Sequence, residues 1–217
     1  HSLATGLRAL GHSVTVVSDG DGWKNYPRDI DISRTSTHPW HTLSYLLRLH
    51  RLWPKLKGYD VVQLINPVFL ELKAERIWPF YQTLRRHNGS LFMGAYGMDH
   101  YWAKAGCDCR TFRYSDFNLG TQLRHTPDTD LFKAEWLTGP KGELNRRIAH
   151  DGDGIVCGLY EYYASYMARF DQKEKLTHIP FPIIIEPHTA DERTPKPIRF
   201  FIGIQRSRSA YKGTDII

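Results

Sequence analysis

Cationic side chains are concentrated in the segment 205–213. Arg206, Arg208 and Lys212 lie within it, and Gly213 follows the lysine directly. Arginine can form paired hydrogen bonds with phosphate oxygens and lysine supplies a compact positive charge, so this segment could bind a diphosphate group. The alternative is a solvated basic loop, because runs of charge usually face water.

A second group of residues that could do chemistry follows an apolar run in the middle of the chain. Asp99 could orient a hydroxyl or accept its proton, and Tyr96 and His100 are further candidates for catalysis. The alternative for Asp99 is a turn aspartate that accepts hydrogen bonds from local backbone N–H groups. Gly97 in the same turn, and Asn66 after another apolar run, are candidates for loops that line the site.

Two further pairs of residues bear on ligands and metals. His1 and Ser2 begin a helix and could contact donor phosphates at its N-terminus, and the alternative is a frayed chain end. Cys107 and Cys109 stand one residue apart with no second pair, so we expect reduced thiols and no metal site. Three cysteines in the chain suit a reducing cytosol, and we expect a cytoplasmic protein.

The elements that must position these residues alternate along the chain. Runs rich in β-branched and aromatic residues predict strands at 12–18, 29–33, 60–65, 90–96, 153–157 and 176–180. Apolar periodicity and capping residues predict helices at 2–10, 39–52, 69–87 with a kink at Pro79, 140–148 and 160–170. This alternation indicates an α/β fold with a doubly wound, Rossmann-like parallel sheet, which binds ligands at the carboxyl ends of its strands.

Two stretches interrupt this alternation. Residues 103–139 are much longer than a plain strand-to-helix loop, and we expect an irregular insert that lines a site. Prolines before residue 198 give the composition of a linker. We therefore divide the chain into an N-terminal domain at 1–188, a linker at 189–197 and the first strand of a second Rossmann-like domain at 198–217. We also expect a strand before the first helix, because a parallel sheet needs one there, and the rest of the second domain beyond the last printed residue.

The charge balance favours anionic partners. The formal net charge is +6 and the isoelectric point is about 9.2. No zinc-finger, RNP-type or lysine-tract pattern is present, so we expect no nucleic acid partner. The basic amphipathic segment 39–57 could lie peripherally on the inner face of an anionic membrane, and the alternative is a packing helix with a solvated basic face.

Four segments together resemble the group 1 glycosyltransferases of the GT-B fold, namely 6–16, 59–67, 95–99 and 201–215. They are similar to that family's first helix and second strand, its (Y/F)DVV strand, its H-G-x-D turn, and the G-R…K-G-x-D segment that begins its C-terminal domain.

The sequence departs from the family pattern at two positions. Tyr96 stands where the family has a histidine, although His100 lies close by in sequence. Ile204 stands where an arginine is expected, and both Arg206 and Arg208 are candidates for its role.

The resemblance implies an acceptor-binding domain that belongs to a sugar-transferring enzyme. The donor would be a UDP-, GDP- or ADP-linked sugar, the acceptor a saccharide or a lipid-linked hydroxyl, and the pathway surface polysaccharide or glycolipid synthesis, with no further cofactor. Catalysis would involve Tyr96, Asp99 and His100, and the diphosphate would contact Arg206 or Arg208, Lys212 and Gly213. The printed residues alone would be inactive, because the donor domain is incomplete. The alternative is a non-catalytic nucleotide-binding or membrane-associated α/β module.

Overall fold

The structure is a computed structural model that describes residues 2–20 and 26–184. His1, the predicted linker at 189–197 and the predicted second domain at 198–217 lie outside the described residues, together with Arg206, Arg208, Lys212 and Gly213. The predictions made for those positions therefore stay predictions.

Four parallel strands form the central sheet. In chain order they are β3 (Val61–Leu64), β4 (Ser90–Ala95), β7 (Gly154–Cys157) and β8 (Leu176–His178), and they are neighbours in that same order. Two shorter strands, β1 (Val17–Ser18) and β2 (Ile30–Asp31), pair in parallel as a separate sheet. In the central sheet, helices lie in the crossover connections that join successive parallel strands. The fold is therefore α/β, with a Rossmann-like parallel sheet flanked by helices.

Seven α-helices lie in the described part of the chain. They are α1 (Ser2–Ala9), α2 (Pro39–Leu52), α3 (Trp78–His87), α4 (His100–Gly106), α5 (Pro127–Lys133), α6 (Pro140–Asp151) and α7 (Tyr160–Arg169). Four of them carry proline in the first turn. Proline suits that turn because the N–H it lacks would have no partner inside the helix.

The predicted helix at 69–87 is shorter in the structure. It begins at Trp78, after a loop and a 3₁₀ turn at Ala74–Arg76. Pro79 therefore lies in the first turn of α3 and does not kink a longer helix. Leu70 and Leu72, which lie within the predicted range, are buried although they belong to the loop.

The predicted strand at 12–18 is confined to β1. The carbonyl of Val16 accepts from the Ile30 N–H at 3.0 Å, and the carbonyl of Ser18 accepts from the Ile32 N–H at 3.0 Å. Both bonds lie on one side of the strand. The preceding residues have no strand partner in the described part of the chain, so they do not form a ladder.

The insert at 103–139 is more regular than we expected. It contains the end of α4, a hairpin of β5 (Asn118–Leu119) and β6 (Gln122–Leu123), α5, and a π-helical turn at Ala134–Thr138. The Thr126 hydroxyl accepts from the Thr129 N–H at 3.2 Å and completes a capping box that starts α5.

The core lies between the sheet and its helices. Its most deeply buried side chains include Tyr81, Leu91, Met93, Ile148 and Ile155. A second, smaller cluster, Trp102, Ala103, Phe117 and Trp136, anchors the insert. The insert is thus packed onto the domain beside the carboxyl end of β4.

Candidate functional site

Tyr96 directly follows β4 at the carboxyl edge of the sheet. Its hydroxyl accepts a short hydrogen bond from the Gln63 side-chain amide, and its ring lies 5.1 Å from the Phe181 ring centroid. Burial raises the pKa of the Tyr96 phenol above its ordinary value of 10.0. The phenol is therefore neutral at pH 7, and its own O–H proton is available to donate.

Asp99 is buried under the same turn, with 2% of its surface exposed. One carboxylate oxygen accepts from the Trp102 N–H at 2.8 Å, which caps α4, and the other accepts from the Tyr166 hydroxyl at 2.7 Å. Burial raises the pKa of Asp99 to about 6, against the opposing effect of these hydrogen bonds. The bonding pattern is that of the turn aspartate considered from the sequence, extended by one long-range bond.

His100 is buried beside Asp99, with 3% exposed. Its backbone N–H donates to the Asn145 side-chain oxygen at 2.9 Å, and its Nδ1 donates to the Trp136 carbonyl at 2.8 Å. Burial lowers the pKa of the imidazole, which is therefore neutral at pH 7. Nε2 has no hydrogen-bond partner among the described residues. His100 thus joins α4 to α6 and to the π-helical turn.

The other predicted site residues in the described part occupy different positions. A Cβ added to Gly97 would meet nothing within 4 Å, so the turn is open above the glycine. Asn66 follows β3, and its side-chain oxygen accepts from the Val68 N–H at 2.9 Å. Ser2 is the first residue of α1 and is partly exposed.

A cavity of about 670 Å³ separates β1 from β3. The carboxyl ends of both strands form its polar rim, which consists of Ser18, Asp19, Gly20 and Asn66. The helical segments below supply an apolar floor, made by Leu49, Trp53 and Leu56. Gln63 lies in the wall and bonds to Tyr96, so the cavity and the turn after β4 are linked through one side chain.

Two residues of this arrangement were not identified from the sequence. Gln63 is a polar residue inside the apolar run at 61–65, and that interruption was a usable signal. Asp19 was assigned to a turn, and it is an exposed carboxylate on the rim of the cavity. Gly20 beside it has φ +81°, and the Ser18 hydroxyl accepts from its N–H at 3.0 Å, which turns the chain at the rim.

The segment 107–109 forms a turn held by its central carboxylate. Asp108 accepts from the N–H groups of Arg110 at 2.7 Å and Thr111 at 2.8 Å, and also forms a short ion pair with Arg169. Cys107 and Cys109 are free, half-buried thiols. Within the described residues, no group of three or more metal-type ligands comes together.

Within residues 2–20 and 26–184, no helix has the length and apolar character needed to cross a bilayer. No protein-family model, no curated protein and no solved structure matches the chain.

Proposed function

We propose that this chain contains the acceptor-side domain of a glycosyltransferase that moves a sugar from a nucleoside diphosphate to a hydroxyl. The support comes from the placement of three segments that resemble the group 1 family. The segment 6–16 leads into β1, the segment 59–67 contains β3 and the segment 95–99 follows β4, and the carboxyl ends of these parallel strands hold Asp19, Asn66 and Tyr96. Ligands of open parallel sheets bind at such ends.

The reaction requires three events at this edge. The acceptor oxygen bonds to the anomeric carbon, the bond from that carbon to the diphosphate breaks with its electron pair, and the hydroxyl proton moves to a base. The neutral Tyr96 phenol donates a hydrogen bond that orients the acceptor, and Gln63 fixes the phenol. Asp19 is an exposed carboxylate on the rim and serves as the base.

Asp99 and His100 have a positioning role in this proposal. Their hydrogen bonds to Tyr166 and Asn145 hold the turn that follows β4. The predicted cations neutralise the negative charge of the departing diphosphate, as the resemblance implies; they are Arg206 or Arg208, together with Lys212. The arrangement of two domains in a GT-B fold is part of the same proposal.

The test is nucleotide release by the full-length protein. It is incubated with UDP-, GDP- and ADP-sugars, with and without saccharide and lipid-linked acceptors. We expect release that depends on both a donor and an acceptor. Asp19→Asn should lower turnover by about 100-fold or more, which is the usual scale of a lost general base.

The control is Asp171→Asn, which alters a carboxylate that is 73% exposed and precedes β8 at the opposite edge of the sheet. Its turnover should equal that of the unaltered protein. Nucleotide binding without transfer under every condition would instead support a non-catalytic nucleotide-binding module. Equal loss in both variants would remove Asp19 from the mechanism.

A further inference from the structure

Helix α2 presents apolar side chains on two faces. Its inner face holds Tyr45 and Leu49, which are buried in the core. Its outer face exposes Trp40 at 74%, Leu43 at 50% and Leu47 at 51%. These three residues are spaced at i, i+3 and i+7, so they form one stripe along the helix. Burial in the core therefore accounts for only one of the two apolar faces.

Positive charge lies at the C-terminal end of this stripe and just beyond it. Arg51 follows Leu47 by four residues within α2, Lys55 lies in the 3₁₀ turn Trp53–Leu56 and Lys57 follows that turn, and all three are exposed. The segment 34–59 contains no aspartate or glutamate. Its other two cations bond inward, because Arg34 donates to the Glu71 carbonyl at 2.8 Å and Arg48 donates to the Ser33 carbonyl. The charge that this segment presents to solvent is thus entirely positive.

We propose that this outer face of α2 docks the protein on an anionic lipid surface. An exposed tryptophan beside leucines can enter the headgroup region, where an amphipathic aromatic ring is stable. The adjacent cations attract acidic headgroups, and no carboxylate within the segment repels them. An apolar protein partner would not account for a continuous acid-free stretch. This inference does not depend on sugar transfer.

The expected contact is shallow. The inner face of α2 is committed to the core, so only the outer stripe can enter the headgroup layer. Each cation near an anionic membrane contributes about 1 kcal/mol to binding, which corresponds to an affinity gain of about fivefold. Binding should therefore need acidic lipid and weaken as the salt concentration rises.

The test uses co-sedimentation of the full-length protein with two kinds of vesicle, phosphatidylcholine alone and phosphatidylcholine mixed with phosphatidylglycerol. We expect binding to the mixed vesicles only. Arg51→Glu with Lys55→Glu should weaken this binding by at least about 30-fold, and Trp40→Ser with Leu47→Ser by about 10-fold or more. The substituted side chains are exposed, so circular dichroism should show an unchanged fold.

The matched control is Arg86→Glu with Lys173→Glu. It makes the same change in net charge at exposed residues of α3 and of the 3₁₀ turn before β8. Binding retained by this control and lost by both α2 variants supports the proposal. Equal loss in the control and in the charge variant of α2 would indicate attraction by net charge alone and would overturn it. Unaltered protein that fails to bind the mixed vesicles would overturn it as well.

Discussion

Tyr96 and Asp99 are three residues apart in the sequence, and the structure places them in opposite environments. The Tyr96 phenol bonds to Gln63, a residue of the cavity wall, whereas both oxygens of Asp99 accept hydrogen bonds inside the domain. A catalytic group must reach the substrate, and a positioning group needs only to reach its neighbours. At the level of single residues, we therefore assign contact with the substrate to the Tyr96 phenol and positioning of the turn after β4 to the Asp99 carboxylate.

Replacing the phenol tests its role in orienting the acceptor. In Tyr96→Phe the ring and its contact with Phe181 remain, and only the hydroxyl is lost. We expect kcat/KM for the acceptor to fall about five- to tenfold, the usual effect of one neutral hydrogen bond, with the donor KM unchanged. Tyr114→Phe, at a tyrosine that is 70% exposed, is the control. Equal kinetics in the two variants would show that the Tyr96 hydroxyl does not touch the acceptor.

The raised pKa of Asp99 predicts a pH dependence of stability. Its folded pKa of about 6 exceeds the ordinary value of 3.8, so the folded state holds the Asp99 proton more tightly than the unfolded chain does. The stabilisation from the neutral acid is complete below about pH 4 and is lost as pH rises through 6. A difference of about two in the pKa of Asp99 between the folded and unfolded states corresponds to roughly 3 kcal/mol in the free energy of unfolding.

Urea unfolding of the unaltered protein and of Asp99→Asn, measured from pH 4 to pH 7, checks this sign. Asparagine cannot ionise, so the free energy of unfolding of the variant should not fall with pH in this way. Relative to the unaltered protein, the variant should gain about 2 to 3 kcal/mol in the free energy of unfolding between pH 4 and pH 7. Parallel pH profiles for the two proteins would mean that Asp99 does not carry the effect.

At the scale of elements, α6 depends on a close approach that only glycine allows. A Cβ built on Gly142 would lie 2.0 Å from the carbonyl oxygen of Trp136, in the preceding π-helical turn. Gly6 in α1 is the matched case, because a Cβ there would meet nothing within 4 Å. Both positions are helical, so the substitution to alanine separates helix propensity from steric fit.

We expect opposite signs from the two substitutions. Gly6→Ala should raise the free energy of unfolding by up to about 1 kcal/mol, because alanine favours the helix. Gly142→Ala should lower it by about 2 kcal/mol or more, because backbone must move to admit the methyl group. Urea denaturation of both variants measures the difference. Stabilisation by Gly142→Ala would show that α6 and the π-helical turn are not held at this distance.

Local sequence predicted the elements that carry clear boundary signals. Pro39 and Pro140 begin helices in their first turns, and the strand at 60–65 was placed within two residues of β3. Local sequence mispredicted the start of α3, which tertiary packing determines, because a proline can either kink a helix or begin one. The short helices of the insert are likewise held by buried partners such as Phe117 and Trp136, which sequence windows do not include.

The candidate site shows the same limit. Sequence identified the turn at 96–100, but the burial of Asp99 depends on Tyr166, which is 67 residues away in the chain. His100 is fixed by Asn145, at a separation of 45 residues. Contacts of this range follow from how the helices pack and not from the motif, so the motif alone could not distinguish a reactive carboxylate from a structural one.

At the scale of the whole molecule, β1 and β3 each present a row of backbone N–H and C=O groups to the cavity between them. The carbonyls of Val16 and Ser18 bond to the β2 side, so the peptide groups of Val17 face the other way. The Ser90 N–H donates to the Asp60 carbonyl, so the peptide groups of Val61 and Gln63 face away from β4. Within the described residues, no strand pairs with either edge.

The size of the cavity matches a strand. A strand residue occupies a rise of about 3.3 Å, a spacing of about 4.8 Å and a sheet depth of about 10 Å, or roughly 160 Å³. The cavity of about 670 Å³ is therefore large enough for about four strand residues, the length of β3. The Tyr59 hydroxyl donates to the Thr15 hydroxyl at 2.9 Å, which sets the amino ends of the two walls side by side.

These edges predict a specific place for the strand expected before α1. We predict that, in the protein extended upstream of residue 1, an extended segment enters between β1 and β3, parallel to both, and joins the two sheets into one. The amides of Val17, Val61 and Gln63 should then exchange hydrogen at least about 100-fold more slowly than in residues 1–217 alone, because each gains a ladder partner. The amide of Val62 already faces β4 and is the internal control, with a much smaller change expected. Unchanged exchange at Val61 and Gln63 in the extended protein would place that segment elsewhere and leave the cavity for a ligand.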